Sequence, residues 1–579
     1  MTPPHSRRPM RAGSLPGALA LLLIGGCSPP PADEASSAPV FFPPTNRPDV
    51  RGTQGAVASD HPLATEAGMA VLRDGGNAMD AVIAMAGVLA VTRPHMNGVG
   101  GDAFALVYEA ETGEVHALNG SGRAGVAATP ELFQGMEAFP EKGALSVSVP
   151  GAVAAWIDAL DRFGTRSIGA LLAPAIRYAR EGFPVSSRLA SDFRSQGGDL
   201  NEPGRALYLP GGDPPPVGSL LRNEALAETL ERVATQGKAG FYNGPVAETL
   251  SAYLEAQGGH LRPQDFRNHT SNWVQPLSVQ YLEHTFYVMP PNTQGLAQLQ
   301  MLAMAKSHDI NVLGHNTSSY LHTLVELKKL AFADRDRWLA DPDRARVPVE
   351  ALTDAGYLAD RAAQVRMDRA ADSVMPGLES DPPVGSDRAQ GDDSGDTVYL
   401  TAVDQWGNAV SWIQSLYAGF GSGLLEPTTG VMLQNRAALF TLQEDHPNRV
   451  EPGKRPFHTL SPMLALRDGA LAFTLGTPGG DSQPQSLLQI TNNLLLFGMT
   501  PQEAVEAPRF RSQSGLTLLL EDRIPSEVRE ELGLLGHQIR VVPGWTATFG
   551  GAQMIRVEPG SGTLTAAADP RREAYALAY

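Results

Sequence analysis

The chain has 579 residues, 42% of them hydrophobic, a single cysteine and a formal net charge of −17. That much apolar material can build a core and excludes a wholly disordered protein. The acidity argues against a general nucleic-acid binder, which displaces counterions with a basic surface, and one cysteine excludes an internal disulfide framework or a multi-thiolate zinc site.

Residues 1–26 read as a targeting signal. Arg7, Arg8 and Arg11 precede the short apolar run GALALLLI at 17–24. A membrane span needs about 20 apolar residues, so this run is too short to be one. It ends in Gly25-Gly26-Cys27, which resembles a bacterial lipoprotein signal, with cleavage before Cys27 and a lipid on its thiol. Residues 27–48 are proline-rich and read as a tether. No other long apolar run follows. The expected location is therefore the bacterial periplasm, with a lipid anchor, at the outer membrane, as the only membrane contact.

From residue 55 the chain reads as globular. A helix is expected over 64–73, and Asn77 is placed to cap a second, nearly all-apolar helix that runs to Pro94. Residues 104–108 and 115–118 read as paired strands. Residues 150–345 are expected to be mainly helical, with a long helix at 320–339 carrying Arg and Asp on its exposed side. The acidic, Pro/Gly/Ser-rich stretch 376–396 reads as a loop. Then the pattern changes. Residues 397–403 and 409–416 flank an Asp-Gln-Trp-Gly-Asn turn, and 463–466 and 470–475 flank Arg-Asp-Gly-Ala, two hairpin signals. A helix is expected over 484–497. Strands followed by a covering helix predict a sheet packed against helices, an α+β fold.

Thr397, at the junction of the polar loop and a strand, is by itself a weak signal, because threonine is β-branched and opens many strands. Its surroundings are informative. GGNAMDAVIA (75–84), NGVGGDAF (97–104), SVSVPGAVAAW (146–156), PAIRYAREGF (174–183), FADRDRWLADPD (332–343), TVYLTAVDQWGNAVS (397–411), GKRPFHTLSP (453–462) and GTPGG (476–480) occur in order. With APRF (507–510) and ADPRR (568–572), they resemble the γ-glutamyltransferase (glutathione hydrolase) family of N-terminal-nucleophile hydrolases.

The resemblance implies a four-layer αββα sandwich and a proenzyme that cuts itself between Asp396 and Thr397. The products would be a large chain, 49–396, and a small chain, 397–579, that stay together as partners. Thr397 is then the nucleophile. Its freed α-amino group has an ordinary pKa of about 8 and sits on the same residue as the hydroxyl, so it can act as the base with little positioning cost. Attack on an amide carbonyl would give an acyl-enzyme that water or an amine resolves. Gly479 and Gly480 match the family's oxyanion-hole glycines, just ahead of an expected helix N-terminus. Ser415 stands where the family places a hydroxyl that hydrogen-bonds the nucleophile.

The implied substrate pocket departs from the glutathione-cleaving members. Tyr417 stands at the family's Asn position and Ala438 near its Asp position, so no acid is supplied for a substrate ammonium. His458 and Thr459 replace a serine pair. The family's Arg position falls at Ser121, with Arg123 two residues on. Arg123, His458 and Thr459 are all hydrogen-bond donors to a carboxylate. SLYAGFGSG (415–423), LQNR (433–436, with Asn435 and Arg436) and HPN (446–448) resemble the branch that includes oxamate amidohydrolase. The expected substrate is a small amide beside an acidic group: γ-glutamyl or a relative, with oxamate-like amides or a β-lactam side chain as alternatives. A non-catalytic binding lipoprotein is the alternative of another class. No cofactor is implied. His308, His315 and His322 recur every seven residues, which is not the i, i+3 or i, i+4 spacing of a helical metal face, so no metal is expected.

Overall fold

The computed structural model describes residues 45–378 and 396–579. Cys27, the signal and most of the tether lie outside these residues, as does most of the loop before Asp396. The end of the expected tether is docked: the backbone N–H groups of Asn46 and Arg47 donate to the Glu506 carboxylate.

Two seven-stranded sheets form the centre. The first runs in the order Tyr575–Ala578, Ala56–Ser59, Asp396–Val403, Ala409–Tyr417, Asp102–Glu109, Glu114–Gly120 and Asn272–Val274. The second runs Val50–Gly52, Leu564–Ala568, Gln553–Val557, Ala470–Gly476, Met463–Arg467, His284–Val288 and Leu277–Tyr281. Segments on both sides of Asp396–Thr397 supply strands to each sheet. A cut there would leave two chains sharing one fold.

The side-chain period of two explains the layering. On the strand Asp396–Val403, Tyr399 and Val403 face the second sheet and pack with Leu464, Leu466 and Ile555. Val398, Leu400 and Ala402 face the other way, against the helices Pro62–Arg73, Ala78–Thr92, Ala152–Phe163 and Ile168–Glu181. The second sheet turns Phe286, Met463, Phe473 and Met554 towards Gly295–Ala305, Ser318–Trp338 and Ser482–Leu495. Residues 397–403 read in sequence as an alternating strand, but every residue of Asp396–Val403 is buried because both faces of the strand are covered. The result is an α+β, αββα sandwich.

The expected hairpins and helices are present within a few residues of their expected bounds, and Asn77 forms a capping box with Asp80. Residues 150–345 are mainly helical, as expected, with five short strands, Phe183–Pro184, Leu220–Leu221, Asn272–Val274, Leu277–Tyr281 and His284–Val288, among the helices. One expectation is corrected. The long helix, Ser318–Trp338, does not turn its Arg and Asp to solvent. Asp334, Arg335 and Arg337 are buried because the helix is covered on several sides, and two of them are paired inside: Asp334 accepts from the Tyr357 hydroxyl and the Gly377 N–H, and Arg335 donates to Asp481.

Candidate active site

The ladder between Asp396–Val403 and Ala409–Tyr417 shifts register at its first step. Thr397 pairs with Ser415, but Asp396 pairs with Tyr417, leaving Leu416 as the extra residue of a bulge. Tyr417 takes a positive φ of 83°, a conformation that costs a non-glycine residue about 1–3 kcal/mol. The bulge turns the backbone around the Ser415 hydroxyl. Thr397 Oγ1 donates to Ser415 Oγ at 3.1 Å, and Ser415 Oγ donates to the Asp396 carbonyl oxygen at 2.8 Å. The Tyr417 N–H and Arg436 Nη2 also donate to Ser415 Oγ, at 2.7 and 3.1 Å. One hydroxyl therefore touches both the expected nucleophile and the carbonyl of the bond expected to break. Gly101 makes room for this arrangement, since a Cβ there would lie 2.4 Å from the Ser415 carbonyl oxygen.

The network continues from Ser415 to the glycine loop. Arg436 Nη1 donates to Thr459 Oγ1, and Gln294 Nε2 donates to the carbonyl oxygens of both Thr459 and Gly480. Gly479 has a φ of 123°, where a side chain is strained, and a Cβ would meet Ser482 Oγ at 2.3 Å. Among the described residues, neither the Gly479 nor the Gly480 N–H is donated to a protein acceptor. Both lie immediately before the helix Ser482–Leu495, where unpaired donors favour an anion. Arg335 fixes the next residue: its Nη1 and Nη2 donate to the two Asp481 carboxylate oxygens at 2.8 and 3.0 Å. A helix of the large-chain region thus holds the loop that carries the two donors.

The expected substrate residues separate into two groups. Tyr417 and Asn435 line a cavity of about 920 Å³, together with Phe139, Lys142, Arg335, Ala438, Phe440 and Phe457. Asn435 is braced, accepting from the Ala418 N–H and donating to the Glu141 carbonyl. The Arg436 guanidinium lies 4.7 Å from the Tyr417 ring centroid.

Ser121, Arg123, His458 and Thr459 do not line this cavity. Ser121 Oγ donates to Asn119, and Arg123 faces Asp343 at 3.6 Å. His458 is fully buried, edge-on to Phe104, and its Nε2–H donates to Asp102 Oδ2 at 2.9 Å. Burial, with Arg436 and Arg455 nearby, holds the His458 pKa well below the ordinary imidazole value, so the ring is neutral. Burial pushes Asp102 up to about 6, against Arg436 and donors from Gln434, Gly122 and Gly151. His458, expected to donate to a substrate carboxylate, here has its Nε2–H on Asp102 and lies off the cavity. It is a buried neutral brace behind the site.

Sequence reasoning missed Asp102, Gln434, Gln294 and the Asp396–Arg572 pair. Arg572 Nη2 meets Asp396 Oδ1 at 3.0 Å, both side chains buried. The signals were present: Asp102 lies in GVGGDAF, and Arg572 closes ADPRR.

A sequence model of the gamma-glutamyltranspeptidase family matches residues 64–579. The chain belongs to the gamma-glutamyltranspeptidase family. It is 36% identical to the glutathione hydrolase-like YwrD proenzyme of Bacillus subtilis, over 91% of this chain and 99% of that one. It is also 36% identical to the oxamate amidohydrolase proenzyme of Klebsiella pneumoniae, with the same coverage of both chains. Among solved structures, the cephalosporin acylase of Bacillus halodurans superposes with a TM-score of 0.85 at 34% identity, covering 93% of this chain and 98% of that one. As a gamma-glutamyltranspeptidase-family protein, the chain is a hydrolase or transferase with the N-terminal-nucleophile fold, and the proenzyme names of its relatives fit a chain that matures by cutting itself.

Proposed function

We propose that the chain cuts its Asp396–Thr397 bond and then hydrolyses small amides through an acyl-enzyme on Thr397. The observation that carries this reading is the Ser415 hydroxyl, bonded at once to Thr397 Oγ1 and to the Asp396 carbonyl oxygen. In the precursor, Ser415 polarises that carbonyl while Thr397 Oγ1 attacks it. The hydroxyl proton passes to the departing nitrogen, which becomes the Thr397 α-amine, the peptide bond becomes an ester, and water then cleaves the ester. In the mature enzyme the α-amine takes the Thr397 hydroxyl proton, the oxygen attacks the substrate amide, and the Gly479 and Gly480 N–H groups receive the oxyanion. The proton passes to the leaving amine, and water releases the acid.

The test is the mass spectrum of the purified protein. Two species meeting at Asp396–Thr397 are expected, and one intact species from Thr397→Ala. Cleavage of Thr397→Ala at that bond would sink the proposal.

For the substrate, we infer a small amide whose acyl part carries an acidic group. The relatives named oxamate amidohydrolase and glutathione hydrolase support this reading; the cavity wall carries Lys142 but also Glu137, Glu141, Asp199 and Asp336, and its Arg335 is paired with Asp481. A second reading, a β-lactam side-chain acylase, is favoured by the aromatic wall of Phe139, Phe440, Phe457 and Tyr417 and by the likeness to a cephalosporin acylase. Parallel turnover of a γ-glutamyl anilide, oxamate and a cephalosporin amide decides between them.

We also propose that Cys27 anchors the enzyme by lipid on the periplasmic side of a bacterial membrane. The Gly25-Gly26-Cys27 signal supports it, and among the described residues no helix is long and apolar enough to cross a membrane. Labelled palmitate should enter the wild type and not Cys27→Ala.

A further inference from the structure

His322, Glu326 and His537 place three ligand atoms within 4.8 Å of one another, and all three residues are buried. His322 and Glu326 are four apart on the helix Ser318–Trp338, so they lie one above the other on one face. His537 reaches them from the turn between Ser526–Leu534 and Gln538–Val542.

The hydrogen bonds fix the tautomers. His322 Nε2 is 2.8 Å from the Arg366 carbonyl oxygen, which only accepts, so Nε2 carries the proton. His322 Nδ1 is then a bare lone pair, and it lies 2.8 Å from His537 Nε2. A ring held through its far nitrogen by a backbone carbonyl, with the near nitrogen free of a proton, is the arrangement of a metal-bound histidine. Glu326 accepts from Lys329 Nζ at 2.7 Å and from the Ala371 N–H at 3.1 Å. Lys329 also donates to the Ala371 carbonyl, so it keeps a partner if a cation takes its place at Glu326.

We propose that His322, Glu326 and His537 form a binding site for a divalent transition cation of the zinc class. Two imidazoles and one carboxylate are a set that zinc accepts in tetrahedral geometry with water as the fourth ligand. The two ring nitrogens must part to about 3.3 Å for Zn–N bonds of about 2.0 Å. The proton on His537 Nε2 moves to Nδ1, which has no hydrogen-bond partner among the described residues. Lys329 is the cation that meets Glu326, and the Arg366 carbonyl that accepts from His322 belongs to an exposed stretch.

The site joins the two halves of the protein. His322 and Glu326 precede Asp396, and His537 follows it, so under the proposed self-cleavage the ion would clasp the large chain to the small one. This last step rests on that cleavage; the site itself does not.

The experiment uses the full-length protein and its Thr397→Ala variant, each stripped with a chelator and given one equivalent of Zn2+ or Co2+. The expected result is one ion retained per protein after gel filtration, a visible Co2+ absorption band, and a rise in Tm with Zn2+. Glu326→Gln and His537→Asn should each weaken retention by 100-fold or more, and far-ultraviolet circular dichroism checks that they fold. In the cleaved wild type, Zn2+ should raise the urea concentration at which the two chains separate. Zn2+ retention no greater in the wild type than in His537→Asn overturns the site. Retention by a wild type that remains one chain keeps the site and overturns the clasp and the cleavage together.

Discussion

Thr397 and Ser415 face each other across an antiparallel ladder with their hydroxyl oxygens 3.1 Å apart, and the same serine reaches the carbonyl of the preceding residue. Ser415 thus serves both chemical events that Thr397 is proposed to perform. Ser415→Ala removes the donor to the Asp396 carbonyl and leaves Thr397 unoriented. One lost hydrogen bond to a group that gains charge in the transition state is worth about 1.5–3 kcal/mol, or a rate loss of about 10- to 100-fold. The rate at which newly made chain splits on a denaturing gel should fall by that factor. Ser415→Thr, which keeps the hydroxyl, should recover most of it, and an unchanged rate in Ser415→Ala removes the serine from the mechanism.

Gly479→Ala tests the oxyanion loop. The residue sits at φ 123°, and an added Cβ would lie 2.3 Å from Ser482 Oγ, so the loop must move. Loss of one oxyanion donor costs about 100- to 1,000-fold in kcat. The expected signature is a fall in kcat of that order with the two chains still formed and KM little changed. A variant with wild-type kcat shows that these N–H groups do not receive the oxyanion.

Much of this was legible in the sequence because it is local. Two hairpins announced themselves through flanked turns, Asn77 through its capping position, and the nucleophile strand through an alternating run opening with threonine. Thr397 and Ser415 are hydrogen-bonded, and Arg436, Thr459 and Gln294 link Ser415 to the Gly480 carbonyl. The brace behind them was not legible, because its members are far apart in sequence. Asp102 and His458 are 356 positions apart, and only the folded sheets bring them together. The same applies to Arg335 and Asp481. A run of Arg and Asp on a helix reads as a solvated face until the structure shows what covers it, and here Arg335 is buried against Phe332 and the glycine loop. His458 was assigned to substrate on its position in a motif, but its burial is a tertiary property that no spacing encodes.

The buried histidines set the acid limit of stability. Burial holds His61 and His269 at about 3, and His260 and His315 at about 4, against an ordinary value of 6.5. A folded pKa below the unfolded one means that the unfolded chain binds more protons as pH falls. Stability from these groups is present above about 6.5 and is lost towards the folded values, at about 1.4 kcal/mol per pH unit for each histidine. Asp102 acts in the opposite sense. Its folded pKa, raised to about 6, gives stability that is present below about 4 and lost as pH rises through 6. Asp60, Asp265 and Asp404 are raised by burial as Asp102 is, but His284, His458 and His537 are lowered like the four above, so seven histidines stand against four carboxylates and the urea midpoint should fall from pH 6.5 to 4.5. His269→Gln should remove one histidine's share of that slope. A midpoint that holds or rises over this range contradicts neutral burial of these rings.

The Arg572–Asp396 ion pair predicts that the ADPRR segment positions the bond proposed to break. The pair is 3.0 Å long, with side chains 4% and 7% exposed, so neither charge is well screened by water. Removing one partner of such a pair leaves the other uncompensated and costs about 3–5 kcal/mol. In Arg572→Met the Asp396 carboxylate is left without that partner, and the side chain must seek water or a proton. A side chain that turns to water is expected to draw its own backbone, and with it the Asp396 carbonyl, off Ser415. The expected result is a precursor that folds but splits at least 10-fold more slowly at neutral pH. Adding Asp396→Asn to Arg572→Met removes the stranded charge and should recover part of the rate. If the single variant splits at the wild-type rate, or the second substitution slows it further, the ion pair does not position the bond.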